Sequence, residues 1–252
     1  MFDAIFWGLI QGLTEFLPVS SSGHLVLIPA LFDRPGPDLA TNAMLHLGTL
    51  AAVLVYYRSD IARMAKFDKP ARRLVTLLLI GTVPAVILGL LFEDKVEELI
   101  SEPKKVAFML IVTGVILLAT TLLRLGDKQM TDVQPRDSLL IGLAQAMALI
   151  PGISRSGMTI SAGLARGLER TEAARFAFLL GIPVIAGAGL LQMVEAFRLG
   201  ESIPATVWVG VVVAGLTGYA AIAILLRLLT RVGLAPFGVY CVTFGAIAMV
   251  IL

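Results

Sequence analysis

The sequence predicts an all-α polytopic membrane protein: an inverted-topology repeat of two five-helix halves, with six transmembrane helices and two re-entrant helical hairpins. Three observations lead to this prediction. Only 15% of the 252 residues are charged, 58% are hydrophobic and the mean hydropathy is +0.90, whereas a soluble domain carries roughly 25% charged residues. Several long stretches lack charged residues altogether, and one motif occurs twice at an offset of 134 residues.

The uncharged stretches predict the transmembrane helices. A helix needs about 20 apolar residues to cross the hydrocarbon core of a bilayer. Six segments have about this length and contain no Asp, Glu, Lys or Arg: residues 40–57, 74–92, 106–123, 176–194, 203–226 and 232–252. We therefore expect each of them to span the membrane.

The repeated motif covers residues 8–23 (GLIQGLTEFLPVSSSG) and 142–157 (GLAQAMALIPGISRSG), which align without a gap. Each copy is typical of a short apolar helix, a proline, a serine-containing tip and a second short helix. Four half-helices, each too short to span a bilayer, are predicted at residues 4–17, 19–32, 138–150 and 156–165.

The short helices predict two re-entrant hairpins, residues 1–33 and 137–167. Broken backbone at membrane depth is tolerated only inside protein or beside a water-filled cavity. Each tip should therefore line a cavity, and the two tips should meet in one site.

The basic residues predict the orientation of the chain. If loop 58–73 is cytoplasmic, the loops on its side carry fourteen of the 20 basic residues and the opposite side carries five, with the acidic loop 93–102 outside. This bias obeys the positive-inside rule only when each hairpin returns to the side from which it enters.

Opposite entry of the hairpins divides the predicted single membrane domain, 1–252, into two repeats, 1–123 and 137–252. Hairpin 1–33 opens to the outside, and hairpin 137–167 opens to the cytoplasm. Inverted repeats with broken helices place their binding site where the repeats meet. The sequence therefore predicts one site between the two tips.

The serines of the tips begin the second helix of each hairpin. Helix N-termini expose free N–H groups and the positive end of the helix dipole, so they bind anions. Arg155 adds a guanidinium that can bind phosphate oxygens in a bidentate manner. The serines predicted to bind phosphate are Ser20, Ser22, Ser154 and Ser156. Taken singly, Ser20 or Ser154 is explained as well by plain N-capping.

Glu15 is a carboxylate within the mostly apolar first half-helix of the first copy of the motif. Gln11 precedes it by one helical turn and shares its face. Ser21 and His24 follow within ten residues. A hydroxyl, a carboxylate and an imidazole this close together can supply a nucleophile and the groups that accept and donate protons.

Alternative interpretations stay open for several polar residues. Glu15 could form a salt bridge with Arg155, which is compatible with a catalytic role. Thr159, one turn after Arg155, adds a hydroxyl to the same face. His24 could be a hydrogen-bonded structural histidine, and His46, inside the first predicted span, is interpreted as structural.

Two stretches of the chain resemble the signature motifs of a known family. LIQGLTEFLPVSSSGHL at residues 9–25 and PGISRSGMT at residues 151–159 are similar to the two motifs of the undecaprenyl-diphosphate phosphatase family, known for bacitracin resistance. The resemblance in length and hairpin arrangement extends over the whole chain. It implies an enzyme that removes the terminal phosphate of a long polyprenyl diphosphate and recycles the lipid carrier of cell-wall synthesis.

The resemblance also implies site residues. In the first motif they are Glu15, Ser20, Ser21, Ser22 and His24. In the second motif they are Ser154, Arg155, Ser156 and Thr159. Gln11 stands where many members of the family have Glu, and its amide cannot serve as a second carboxylate base or metal ligand.

These observations together predict a membrane phosphatase in which Ser21 attacks the terminal phosphorus and Arg155 holds the phosphate. Glu15 and His24 handle protons, and Gln11 and Thr159 join the serines around the phosphate. Attack by water with a divalent cation is the alternative mechanism, because the resemblance implies stimulation by Mg²⁺ or Ca²⁺. A divalent cation, Mg²⁺ or Ca²⁺, is therefore a candidate cofactor without an assigned site, and no organic cofactor is expected. The alternative function is a polyprenyl-phosphate transporter or flippase, since inverted repeats also suit alternating access.

The expected partners are the lipid diphosphate and membrane lipids, with a homodimer left open. Nucleic acid is excluded because the basic residues are confined to short loops. Cys241 is the single cysteine, so no intrachain disulfide can form. The expected location is the bacterial inner (plasma) membrane, with the active site facing the extracytoplasmic side.

Overall fold

A computed structural model describes residues 1–92, 102–124, 126–200 and 203–252. Across these residues the regular structure is helical. The α-helices are α1 (Phe2–Phe16), α2 (Ser21–Phe32), α3 (Leu39–Tyr56), α4 (Arg58–Met64), α5 (Lys69–Leu91), α6 (Pro103–Ala119), α7 (Pro135–Met147), α8 (Arg155–Ala165), α9 (Arg170–Arg198), α10 (Val207–Val232) and α11 (Ala235–Ile251). Two 3₁₀ turns, Thr120–Leu122 and Met130–Asp132, flank the link between α6 and α7.

Five of these helices are long and apolar enough to cross a membrane. They are α3, α5, α6 with its 3₁₀ turn, α9 and α10, and they coincide with five of the six predicted spans. The chain is therefore a helical membrane protein. Helix α11 matches the sixth predicted span but has only 17 residues, so its crossing of the membrane stays a prediction.

The helices extend beyond the uncharged stretches at their N-terminal ends. Helix α5 begins at Lys69 because the Asp68 side chain accepts a hydrogen bond from the Ala71 amide at 2.9 Å. Helix α9 begins at Arg170 because Glu169 caps it in the same way. Helix α4 occupies part of the predicted loop 58–73. The predicted acidic loop lies outside the described residues, apart from Glu102.

The first helix of each hairpin packs against a long helix of the other half of the chain. Helix α1 lies against α10, where a Cβ on Gly8 would come within 2.6 Å of the Gly210 carbonyl oxygen. Helix α7 lies against α5, where a Cβ on Gly142 would overlap the carbonyl oxygen of Gly81. Glycine at these positions lets the helix backbones approach closely, as is common in membranes.

The two halves also contact each other through helices at equivalent positions of the two halves. Helix α6 packs on α11, and a Cβ on Gly114 would lie 2.7 Å from the Gly238 carbonyl oxygen. Helix α3 packs on α9. The hairpins are thereby enclosed by helices from both halves of the chain.

An aspartate–arginine pair joins the two arms of each hairpin at its open end. Asp3 on α1 accepts a hydrogen bond from Arg34, after α2, at 2.7 Å. Asp137 on α7 accepts one from Arg166, after α8, also at 2.7 Å. Asp3 and Asp137 are 134 residues apart, the same offset as the repeated motif. We call these two pairs the hairpin clamps.

Candidate active site

The serine tips form matching helix starts. Ser20 is the N-cap of α2, and its Oγ accepts a hydrogen bond from the Gly23 amide at 3.2 Å. Ser154 is the N-cap of α8, and its Oγ accepts one from the Gly157 amide at 3.1 Å. The N-capping interpretation is therefore confirmed for both serines. Capping still leaves their hydroxyl protons free to donate.

The two tips lie against each other, as the sequence predicts. Ser20 Oγ donates a hydrogen bond to the Ile153 carbonyl at 3.4 Å. In return, Ser156 Oγ donates to the Leu17 carbonyl at 3.2 Å. The Gly152 amide donates to Ser22 Oγ at 3.4 Å. Each hairpin thus satisfies polar groups of the other, which fixes the relative position of the two helix starts.

Unusual backbone conformations shape both tips. Ser20 has a φ of 68°, in the left-handed region that residues with a side chain rarely adopt. Gly152 has a φ of 94°, and a Cβ there would overlap the Val106 carbonyl. Such strain is common at functional sites, where the surrounding contacts hold it in place.

Glu15 lies at the centre of the site, 7% exposed. Its Oε1 accepts a hydrogen bond from Arg155 Nη2 at 2.7 Å. Its Oε2 accepts bonds from Ser21 Oγ at 2.7 Å and Gln11 Nε2 at 3.0 Å. The salt bridge left open as an alternative for Glu15 is therefore present. The same carboxylate also contacts the hydroxyl of Ser21, so one residue joins both hairpins.

His46 approaches the same carboxylate from α3. Its Nε2 lies 3.9 Å from Glu15 Oε2. Its Nδ1 donates a hydrogen bond to the Asn42 carbonyl at 2.9 Å. The sequence interpretation treated His46 as structural, and its contact with Glu15 is a feature that only the structure reveals.

His24 makes contacts on another side of the first tip. Its Nδ1 donates to the Ser20 carbonyl at 2.8 Å, and its Nε2 lies 2.6 Å from the Tyr240 hydroxyl. The ring stacks on Phe244 at 5.1 Å between centroids. Among the described residues, His24 has no hydrogen bond to Ser21 or Glu15. The alternative of a hydrogen-bonded structural histidine describes these contacts, and the predicted catalytic role is untested.

The remaining predicted residues support the second tip. Ser154 Oγ and Ser156 Oγ lie 3.3 Å apart, the same distance that separates Ser20 Oγ and Ser22 Oγ. Thr159 Oγ1 donates to the Arg155 carbonyl at 2.8 Å, within its own helix. Thr159 is thus placed to support the backbone of α8, one turn from the guanidinium.

Three residues that the sequence analysis did not single out complete the site. Thr113 on α6 donates to the Gly152 carbonyl at 2.9 Å and accepts from the Ser154 amide at 3.1 Å. Tyr240 on α11 bonds His24. Gly181 on α9 lies beside the Arg155 side chain, and a Cβ there would overlap its Nη1. In the sequence, each of these three residues is only a polar residue or a glycine within an apolar stretch. Such a residue does not reveal which other residue it contacts.

The donor set argues against a resident metal ion. Among the residues that the structure describes, Glu15 is the one carboxylate of the site, and both of its oxygens already accept hydrogen bonds. No group of three or more His, Cys, Asp or Glu side chains that could hold a metal occurs in the described part of the chain. Gln11 Oε1 is buried without a partner there, but one amide oxygen beside a guanidinium does not make a divalent-cation site.

The arrangement can perform one kind of chemistry well. It holds a serine hydroxyl against a carboxylate, the combination that generates an activated nucleophile. It brings a guanidinium and two helix N-termini close together, the combination that binds a phosphate.

The sequence matches the family described as "Bacitracin resistance protein BacA" over residues 4–247. This match covers nearly the whole chain. The chain belongs to the BacA family.

Three relatives of this BacA-family chain carry the same functional name. It is similar to an undecaprenyl-diphosphatase of Halothermothrix orenii, with 43% identity over 253 residues, covering 100% of this chain and 98% of the relative. An undecaprenyl-diphosphatase of Pelobacter propionicus is 42% identical over 268 residues, with 100% and 97% coverage. One of Thermomicrobium roseum is 40% identical over 273 residues, with 100% and 98% coverage.

Proposed function

We propose that this chain is an undecaprenyl-diphosphatase, which hydrolyses the lipid diphosphate to the monophosphate and inorganic phosphate. The observation that carries the proposal is the 2.7 Å hydrogen bond from Ser21 Oγ to Glu15, beside the guanidinium of Arg155. The relatives with this name align over nearly their whole length. Removal of the terminal phosphate recycles the lipid carrier of cell-wall synthesis, which connects the activity to bacitracin resistance.

The reaction begins with attack by Ser21 on the terminal phosphorus. Its proton passes to Glu15 Oε2 as the Oγ–P bond forms and the bridging P–O bond breaks, releasing the polyprenyl monophosphate. Water then hydrolyses the phosphoserine, releases inorganic phosphate and restores the serine hydroxyl. Covalent catalysis of this kind divides one difficult displacement into two easier ones.

Arg155 has two acceptors in this mechanism. Without substrate its guanidinium bonds Glu15. The more highly charged diphosphate competes for the same donors, and the two helix starts add backbone N–H groups to bind it. When Arg155 turns toward the phosphate, Glu15 loses the cation that stabilises its charge and becomes a stronger base.

The function fits a two-repeat architecture in one membrane domain, 1–252. Repeats 1–123 and 137–252 enter the membrane in opposite directions, and their re-entrant hairpins meet near its middle. The crosswise packing of α1 on α10 and α7 on α5, together with the matching clamps, supports this arrangement. The distribution of basic residues supports a bacterial plasma-membrane protein whose site opens to the extracytoplasmic side.

Small ions and partners enter this scheme in limited ways. Among the described residues, Glu15 is the one carboxylate of the site and both of its oxygens already accept hydrogen bonds, so a divalent cation would be held chiefly by the phosphates of the substrate. Hydrolysis needs no organic cofactor. The partners are the lipid diphosphate and surrounding membrane lipids, and a homodimer is compatible with the scheme although the site draws on one chain.

Phosphate release in detergent tests the proposed function. We expect the purified full-length chain to release inorganic phosphate from undecaprenyl diphosphate, with no gradient present. Ser21→Ala and Glu15→Gln should each lower kcat by about 10³-fold or more. A trapped phosphoserine in the wild type, at Ser21, would identify the nucleophile. Binding of the diphosphate without phosphate release would favour the transporter instead.

A further inference from the structure

Hydrolysis of a diphosphate at neutral pH produces a proton, and the site must dispose of it. In the proposed mechanism this proton moves from Ser21 to Glu15. Glu15 must lose it before it can deprotonate the attacking water in the second step. The identity of the group that takes the proton from Glu15 is therefore a question about this chain's own residues.

The hydrogen-bond partners of Glu15 are donors. Gln11 contacts it through an amide N–H, and an amide is not a base at neutral pH. Arg155 stays protonated in proteins. Ser21 is the source of the proton and is esterified at this stage. None of these three groups can accept a proton from Glu15.

His46 differs from those three residues. Its Nδ1 donates to the Asn42 carbonyl, so in the neutral ring Nε2 carries a free lone pair. This Nε2 lies 3.9 Å from the carboxylate oxygen that faces Ser21. Imidazole is the side chain best suited to proton transfer near neutral pH.

A line of polar groups continues outward from His46. Asn42 lies one turn before it on α3, close to the exposed start of that helix, and its amide bonds Gln192 on α9 at 3.5 Å. Asn42 Oδ1 is buried and has no hydrogen-bond partner among the described residues. Buried polar atoms of this kind are normally satisfied by water. Water along this line would join His46 to the start of α3.

We propose that His46 is the proton exit of the site. After Ser21 has been phosphorylated, the proton on Glu15 Oε2 passes to His46 Nε2, and the imidazolium then loses a proton to water held beside Asn42 and Gln192. The freed Glu15 then takes a proton from the attacking water as the new O–P bond forms. It returns that proton to Ser21 Oγ as the phosphoserine bond breaks. One proton leaves per diphosphate cleaved, which balances the overall hydrolysis.

The inference rests on the proposed function and assigns a step to one residue within it. His46→Gln keeps a hydrogen-bonding side chain but removes the base. We expect the first turnover, measured by rapid quench as polyprenyl monophosphate formed from undecaprenyl diphosphate, to stay within about twofold of the wild type. Steady-state release of inorganic phosphate should fall by about 10²-fold, and phosphorylated Ser21 should accumulate by mass spectrometry.

Two further variants separate proton transfer from structure. Thr49→Val, one turn further along α3, removes a buried hydroxyl bonded to the His46 carbonyl and should leave both phases unchanged. His46→Ala should regain steady-state turnover when free imidazole is added. An equal slowing of both phases in His46→Gln, or no slowing of either, would overturn the proton exit. Absence of phosphate release from the wild type would instead refute the proposed function.

Discussion

The two hairpins share a scaffold and differ in chemistry. Both have a serine N-cap bonded to a glycine amide, a second serine 3.3 Å from the first, and an aspartate–arginine clamp. The residues between these shared features have diverged. Glu15 and His24 of the first copy correspond to Leu149 and Met158 of the second.

The most instructive difference lies at one equivalent position. At the offset of 134 residues, Ser21 corresponds to Arg155. Each of these side chains donates a hydrogen bond to a different oxygen of Glu15, Ser21 to Oε2 and Arg155 to Oε1. A single carboxylate in one copy therefore positions both the proposed nucleophile of its own hairpin and the proposed phosphate-binding cation of the other. The duplication provides two equivalent helix starts, and divergence at one position makes them complementary.

Removing the cation should have the largest effect on this complementarity. We expect Arg155→Ala to lower kcat/KM for phosphate release by about 10³-fold, because the phosphate loses its bidentate, charged partner. Arg155→Lys keeps the charge but not the planar fork, and should lose about 10²-fold.

Two comparisons guard against a trivial loss of fold in these arginine variants. Arg198→Ala removes an exposed arginine paired with Glu195 on α9 and should keep full activity. Thermal unfolding in detergent should show Arg155→Lys closer to the wild type than Arg155→Ala, since the alanine leaves Glu15 buried without a cation. Undiminished phosphate release by a folded Arg155→Ala protein would remove the arginine from the site.

Gly181 offers a milder way to disturb the second copy. The equivalent position in the first half of the chain is Leu47. Only the second half therefore has a glycine at this position, which leaves space for the Arg155 side chain. Gly181→Ala should displace the guanidinium and lower kcat/KM by about 10-fold or more, because small misplacements of a binding group are costly. Gly187→Ala on the same helix is the matched control, since a Cβ there meets no atom within 4 Å. Equal activity of the two alanine variants would show that Arg155 does not need this space.

Local patterns in the sequence predicted the hairpins well. The prolines and the serine-glycine pairs indicate where each second half-helix begins, and the observed helices start at Ser21 and Arg155, within two residues of the predicted starts. The first helix of the second hairpin ends at Met147, three residues before the predicted end. The repeat predicted that the tips meet. Such features depend on residues close together in the chain, so they can be read without knowing the tertiary packing.

The supporting residues could not be predicted in the same way. His46, Thr113, Gly181 and Tyr240 reach the tips from α3, α6, α9 and α11, respectively. Each is an isolated small or polar residue in an apolar helix, and its role depends on the rotation of that helix about its axis. Apolar side chains in a membrane span constrain this rotation weakly, because lipid and protein are similarly apolar.

The hairpin clamps allow a direct comparison between the two hairpins, with the smallest expected effects. Asp3 is largely exposed, with 73% of its side chain accessible, whereas 5% of the Asp137 side chain is accessible. Asp137 also accepts a hydrogen bond from the Gln134 amide at 3.1 Å. Asp137→Asn should therefore lower the free energy of unfolding by about 1–3 kcal/mol, and Asp3→Asn by at most about 1 kcal/mol, as measured by thermal unfolding in detergent.

The pH dependence of the difference in unfolding free energy between the wild type and Asp137→Asn provides an independent check. Burial alone would raise the pKa of Asp137, but the hydrogen bonds from Arg166 and the Gln134 amide outweigh it and lower the pKa below its ordinary value. A carboxylate with a lowered pKa stabilises the folded state above the unfolded pKa, about 3.9, and loses that contribution as pH falls through the folded pKa. The gap between wild type and Asp137→Asn should thus be full at pH 7 and shrink under acid conditions. If this difference in unfolding free energy persists unchanged in acid, the charge of Asp137 does not contribute to stability. The second clamp would then resemble an ordinary helix cap.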